Sequence, residues 1–196
     1  MRLKRSYSFL LILIIFYSCS TVSTSQGFFG NSFTAAEQNN VEFVELNDGT
    51  VISGHVVKED LSAKRTKGTL VIDEKTYLHK EIAAFQAQNM YYRKNGSKEF
   101  AKRILKGKIN VYQTFYSGMM SDAQGRTKLY NYSMYFIQKG NVAPMKEYNL
   151  KVLESSISDN AAAVSALEEY KKLSGKKKRT EGGVYLDKII QTYNTK

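Results

Sequence analysis

The stretch Val41-Glu42-Phe43-Val44-Glu45-Leu46-Asn47-Asp48-Gly49-Thr50-Val51-Ile52-Ser53-Gly54-His55-Val56-Val57 decides how this chain is read. Two β-branched and apolar runs flank Asn47-Asp48-Gly49. Asp-Gly between such runs is a strong hairpin signal, because the tight turn needs residues that accept positive φ. Downstream, short strands are expected over 69–72, 75–78, 82–86 and 89–93, separated by polar turns. The middle of the chain therefore reads as an antiparallel β-meander.

A second hairpin is expected further on, with arms 108–117 and 128–138 joined by Ser121-Asp122-Ala123-Gln124-Gly125-Arg126. On its second arm Tyr130, Tyr132, Met134 and Phe136 alternate with Asn131 and Ser133, and on its first arm Ile109, Val111 and Phe115 share a face. Period-two alternation of this kind gives each strand one face for a core and one wetter face. Past Val142-Ala143-Pro144 the period changes. Leu150, Leu153 and Ile157 fit an amphipathic turn pattern, and Asp159 stands where it would cap a helix over 161–173. Gly175-Lys176-Lys177-Lys178-Arg179 then breaks the pattern, before Leu186, Ile189, Ile190 and Tyr193 form the stripe of a last helix. Strands followed by helices make the expected class α+β. The expectation is an antiparallel meander, small β-sandwich or barrel-like region over 41–146, with a helical region over 147–196 packed on it.

Upstream, Arg2, Lys4 and Arg5 precede the apolar run Phe9 to Phe16, the pattern of a cleavable signal peptide over 1–18. The run is far shorter than the roughly 20 residues of a membrane-spanning helix. The single cysteine, Cys19, follows at the point of cleavage, and a Ser-, Thr-, Asn- and Gln-rich tether extends to residue 40. Cys19 in this setting resembles the lipobox cysteine of bacterial lipoproteins, which becomes the acylated first residue of the mature chain. Ordinary cleavage after Ser20 is the alternative. Without residues 1–18 the chain keeps 26 of its 29 Lys and Arg against 18 Asp and Glu, a balance of about +8. No second cysteine is available for an internal disulfide, so stability must come from a hydrophobic core. The positive balance suits anionic headgroups or acidic glycans, whereas export argues against nucleic acid.

Three short motifs, Glu45-Leu46-Asn47-Asp48-Gly49-Thr50-Val51-Ile52-Ser53-Gly54, Lys80-Glu81-Ile82 before a strand ending in Tyr91-Tyr92, and Gly107-Lys108-Ile109-Asn110-Val111-Tyr112, are joined by a closing Tyr193-Asn194. With these the chain resembles a broad group of exported proteins and lipoproteins of Bacteroidota that have no assigned activity. The resemblance implies an envelope address, and it carries over no catalytic residue.

The chemistry-bearing residues point the same way. His55 and His79, the only imidazoles, sit on separate predicted strands with no ligand set at metal spacing, so neither a metal nor another cofactor is expected. No Gly-x-Ser-x-Gly elbow or phosphate-binding glycine loop occurs, and Glu59-Asp60, Asp73-Glu74 and Glu168-Glu169 read as solvated surface. Lys176 to Arg179 reads as a solvated loop between helices. Of the 14 tyrosines, Tyr112, Tyr116, Tyr130 and Tyr132 cluster on the second hairpin, as core and cross-strand pairs or as a platform for a sugar or peptide. The expected protein is a non-enzymatic binding or structural component of the cell envelope. It is lipid-anchored to the inner or outer membrane, periplasmic or surface-exposed, and it has an envelope protein or glycan as partner. The alternative is a glycan- or peptide-binding module working through the tyrosine-bearing face.

Overall fold

The computed structural model describes residues 41–59, 68–96, 99–121, 124–125 and 127–195, with the backbone alone at Val57, Lys58, Glu59, Met120, Ser121, Lys128 and Tyr130. The expected signal peptide, Cys19 and the tether lie outside these residues. The hairpin signal at Asp48-Gly49 is realised: β1 (Phe43–Leu46) and β2 (Val51–Ser53) pair antiparallel, with Val44 opposite Ile52. Gly49 takes φ +87°, and the Asp48 carboxylate accepts the Thr50 N–H at 2.9 Å. A Cβ at Gly49 would meet no atom within 4 Å, so the demand there is conformational. Gly49→Val is expected to lower stability by about 1 kcal/mol or more, read from the thermal melt, since a β-branched residue resists positive φ.

The expected second arm of this hairpin breaks at Gly54-His55. The His55 N–H donates to the Asp73 carboxylate at 2.9 Å and the Asp73 N–H donates to the His55 carbonyl at 2.8 Å, while a Cβ at Gly54 would overlap that carboxylate. The chain bends there and enters a second sheet, of β3 (Val56–Glu59), β4 (Thr69–Ile72) and β5 (Lys75–Leu78). A 3₁₀ turn, His79–Glu81, returns it to the large sheet through β6 (Ile82–Ala87), β7 (Met90–Asn95) and β8 (Glu99–Leu105). The long hairpin follows as β9 (Ile109–Ser121) and β10 (Thr127–Lys139), and β11 (Lys146–Glu147) closes the edge. The large sheet has eight strands in the order β11-β10-β9-β8-β7-β6-β1-β2, antiparallel throughout. The protein is α+β, with an open large sheet rather than a closed barrel.

Cross-strand pairing sorts the large sheet into two faces. The row Val44, Phe85, Tyr92, Lys102, Gln113, Tyr135 runs along one of them. At the β1 and β6 end this face packs Val44, Ile82, Phe85 and Phe100 against Leu70 and Ile72 of the small sheet. At the β9 and β10 end Ile104, Ile109, Val111, Tyr135 and Ile137 pack against three helices. These are α1 (Leu150–Ile157), α2 (Ala161–Lys172) and α3 (Gly175–Asn194). The wetter hairpin face expected at Asn131 and Ser133 thus exists only in the distal half, because Tyr135 and Ile137 continue it into the helical core.

Two sequence expectations about the helices change. Asn160, not Asp159, caps α2 by accepting the Ala163 N–H at 3.1 Å, and Asp159 instead pairs with Lys139 at 2.9 Å. The run Lys176 to Arg179 is not a loop. Ser174 caps α3 through the Lys177 N–H at 3.3 Å, so the four cations are wound into its opening turns.

Candidate functional site

The other face of the large sheet carries the tyrosines. Arg93 lies opposite Ala101, Arg103 opposite Tyr112, Tyr112 opposite Phe136, Tyr116 opposite Tyr132 and Gly118 opposite Tyr130. Alternation places Tyr91, Arg93, Arg103, Tyr112, Tyr116 and Tyr132 on this one face, and Tyr130 occupies the next register position. All four tyrosine candidates therefore belong to one row of the hairpin, but they are not equivalent.

Tyr112 is a core residue, 1% exposed, with its hydroxyl donating to Gln138 Oε1 at 2.9 Å. Burial pushes its phenol up to about 12. Covered by Tyr91, Ala101 and Phe136, it offers no surface to a ligand. Tyr116 and Tyr132 stack, with ring centroids 5.1 Å apart and planes 17° off parallel, and Tyr132 stays 44% exposed. The Tyr116 hydroxyl donates to the Glu99 carboxylate at the start of β8. Burial and that negative neighbour both push the Tyr116 phenol up, so it is a neutral donor throughout the physiological range. The pair is thus one ring held in place by Glu99 and one presented to solvent. Its outer ring is of the kind that packs on the C–H face of a sugar or on a peptide side chain.

Beside it lies an arginine and tyrosine cluster that the sequence did not announce. The Arg103 guanidinium sits over the Tyr91 ring, 3.8 Å from its centroid, and Arg103 is itself buried. The Arg93 guanidinium donates to the Tyr91 hydroxyl at 3.1 Å and lies 3.6 Å from Glu45. Burial pulls the Arg93 guanidinium down, but the Tyr91 hydroxyl and Glu45 more than offset this, so the charge is firmly held. Arg93 is partly exposed, with about a quarter of its side chain open to solvent. Glu99 and Arg103 went unread because β8 was not recognised as a strand. The segment Glu99-Phe100-Ala101-Lys102-Arg103-Ile104-Leu105 buries Phe100 and Ile104 on one face and Ala101 and Arg103 on the other, so no clean alternation shows.

A second polar constellation gathers at Glu42. Its carboxylate accepts the Val56 N–H at 2.7 Å, the Gln88 N–H at 2.8 Å and the His55 Nδ1 at 2.7 Å. One side chain thereby ties the start of β1 to the β2–β3 bend and the β6–β7 turn. The backbone hydrogen bonds from Gln88 and Val56, with the side-chain bond from His55, hold the Glu42 carboxyl below its ordinary value. The sign follows: the stabilisation is fully present above the unfolded-state pKa and is lost as pH falls through the lower folded one. Glu42→Gln is expected to cost about 1–3 kcal/mol at neutral pH. It should also flatten the acid limb of stability against pH, which urea melts at stepped pH would measure.

The two histidines, both expected on strands, lie outside them and differ in burial. His55 is exposed at the bend, whereas His79 opens the 3₁₀ turn, 2% exposed and edge-on to Phe100 at 5.0 Å between centroids. Among the described residues no three His, Cys, Asp or Glu side chains converge as a metal set. None of the described helices is long and apolar enough to cross a membrane. No family model, curated protein or solved structure matches the chain.

Proposed function

We propose that the chain is a lipid-anchored component of the cell envelope that binds a glycan through the tyrosine-bearing face of its large sheet. The supporting observation is the Tyr116–Tyr132 stack, with one ring fixed by Glu99 and its partner 44% open to solvent. A pre-stacked ring loses little conformational freedom when a ligand covers it, and that makes it an efficient anchor. Arg93, held in place by Tyr91 and Glu45 on the same face, supplies a cation for an acidic sugar. Titrating the protein with neutral and acidic oligosaccharides, followed by the chemical shifts of this face, tests the reading. Tyr132→Ala should weaken binding by about tenfold, and unchanged affinity would refute it.

A peptide ligand is the second reading, favoured by the edge of β10. Among the described residues β11 is the one strand on that edge and pairs at Phe136 and Ile137, so the distal part of β10 has no neighbouring strand there and suits strand addition. The anchor is tested separately: a fatty-acid analogue should label the wild type in cells and miss Cys19→Ala.

A further inference from the structure

We propose that the junction of α2 and α3 is a docking surface for an anionic lipid bilayer. Within 171–179 six of nine residues are Lys or Arg and none is acidic. Two of the six are engaged by the fold. Lys171 pairs with Glu154 at 2.9 Å and Glu168 at 2.8 Å, and Lys178 donates to the Lys171 carbonyl at 2.7 Å with its ammonium 5.7 Å from the Tyr170 centroid. Lys172, Lys176, Lys177 and Arg179 are exposed, and none of them has an ion pair among the described residues. Further along α3, Val184 and Lys188 are exposed on the line of Lys177, seven and eleven residues on, with Glu181 beside them.

Lys171 and Lys172 suit the last turn of α2, but the cations that open α3 work against the fold. Unpaired backbone N–H groups already make a helix N-terminus positive, so cations in the opening turns are unfavourable, and acidic residues are the stabilising choice there. Lys176 and Lys177 are held in the first turn of α3, where they work against helix stability, and none of the four exposed cations has an ion pair among the described residues. A bilayer fits best. The inference rests on the envelope reading, which puts a membrane within reach: residues 19 to 41 span at most about 75 Å when fully extended.

The test uses the chain from Ser20 onward, which keeps every described residue and carries no acyl group. Sedimentation with phosphatidylcholine vesicles containing phosphatidylglycerol should retain the protein at low salt and release it at high salt, while pure phosphatidylcholine should not retain it. Each cation near such a surface contributes roughly fivefold in affinity. The variant Lys172→Gln, Lys176→Gln, Lys177→Gln and Arg179→Gln should therefore bind at least about fiftyfold more weakly. Its melting temperature should change little, because relief at the start of α3 offsets the loss of Lys172 from the last turn of α2, and this separates lost docking from lost folding. Equal retention by neutral and anionic vesicles would overturn the proposal, as would equal retention of variant and wild type. So would failure on vesicles with retention on heparin, because the surface would then fit a soluble polyanion. An unlabelled Cys19 would sink the anchor and leave this vesicle result standing, so the two failures are distinguishable.

Discussion

Truncation after Gly183 should yield a chain without a cooperative melt and with strands open to protease. The removed segment carries Leu186, Ile189 and Ile190, each fully buried, and Tyr193, 5% exposed. Burial of each aliphatic side chain contributes about 1.5–3 kcal/mol, and their sum is comparable with the whole stability of an ordinary domain. The loss reaches further than the helix. Ile109, Val111 and Ile137 of the long hairpin and Leu153 and Leu167 of the neighbouring helices share that cluster and would face water. Near-ultraviolet circular dichroism and limited proteolysis read the result directly. A truncated chain melting like the intact one would mean that the helix is no part of the core. Ile189→Ala is the milder version, with an expected cost of about 2–5 kcal/mol from the cavity it leaves.

Asn194→Ala is expected to cost about 2–5 kcal/mol although it removes no apolar surface. The Asn194 side chain accepts the Ile109 N–H at 2.8 Å and donates to the Ile109 carbonyl at 3.1 Å. Ile109 is fully buried, so both of its backbone groups would lose their partner away from water. Gly107 belongs to the same clip, since a Cβ there would overlap the Asn194 amide. Gly107→Ala should therefore be destabilising as well, and less than additive with Asn194→Ala because the smaller residue makes room. A double-mutant cycle by chemical denaturation measures this coupling.

That clip shows how the fold was and was not legible in the sequence. The motifs Gly107 to Tyr112 and Tyr193-Asn194 were visible as separate strings, but nothing in one dimension joins residues 85 positions apart. The hairpins were readable because their determinants are local: Gly49 needs positive φ, and Tyr130 to Phe136 alternate. Strands 69–72 and 75–78 fall where turn residues bound them, and Asp73, between them, takes φ +50°. β8 was hidden by burial on both faces. The start of α3 was hidden by Gly175 and Gly182, which are poor helix formers, and by four cations where a helix start favours acidic residues. For the candidate site, the tyrosines could be named and placed on a face. That Tyr112 is core and Tyr132 surface depends on the neighbours each finds on that face, Tyr91, Ala101 and Phe136 for Tyr112, which alternation does not encode.

The Glu42 tie also has a mechanical side. Tension arriving along the chain through Val41 meets the Glu42 side chain first, with its bonds to Val56, Gln88 and His55, together with the Gly54 N–H on its carbonyl. Behind it, β1 lies between β2 and β6, paired with both. A force along β1 loads those two ladders in shear, where hydrogen bonds must yield together, whereas a force at right angles would unzip them one at a time. The N-terminal end of the described fold is thus held in shear by two ladders and one carboxylate. In a single-molecule pull from residue 41, Glu42→Gln should lower the rupture force more than its modest effect on the equilibrium melt would suggest.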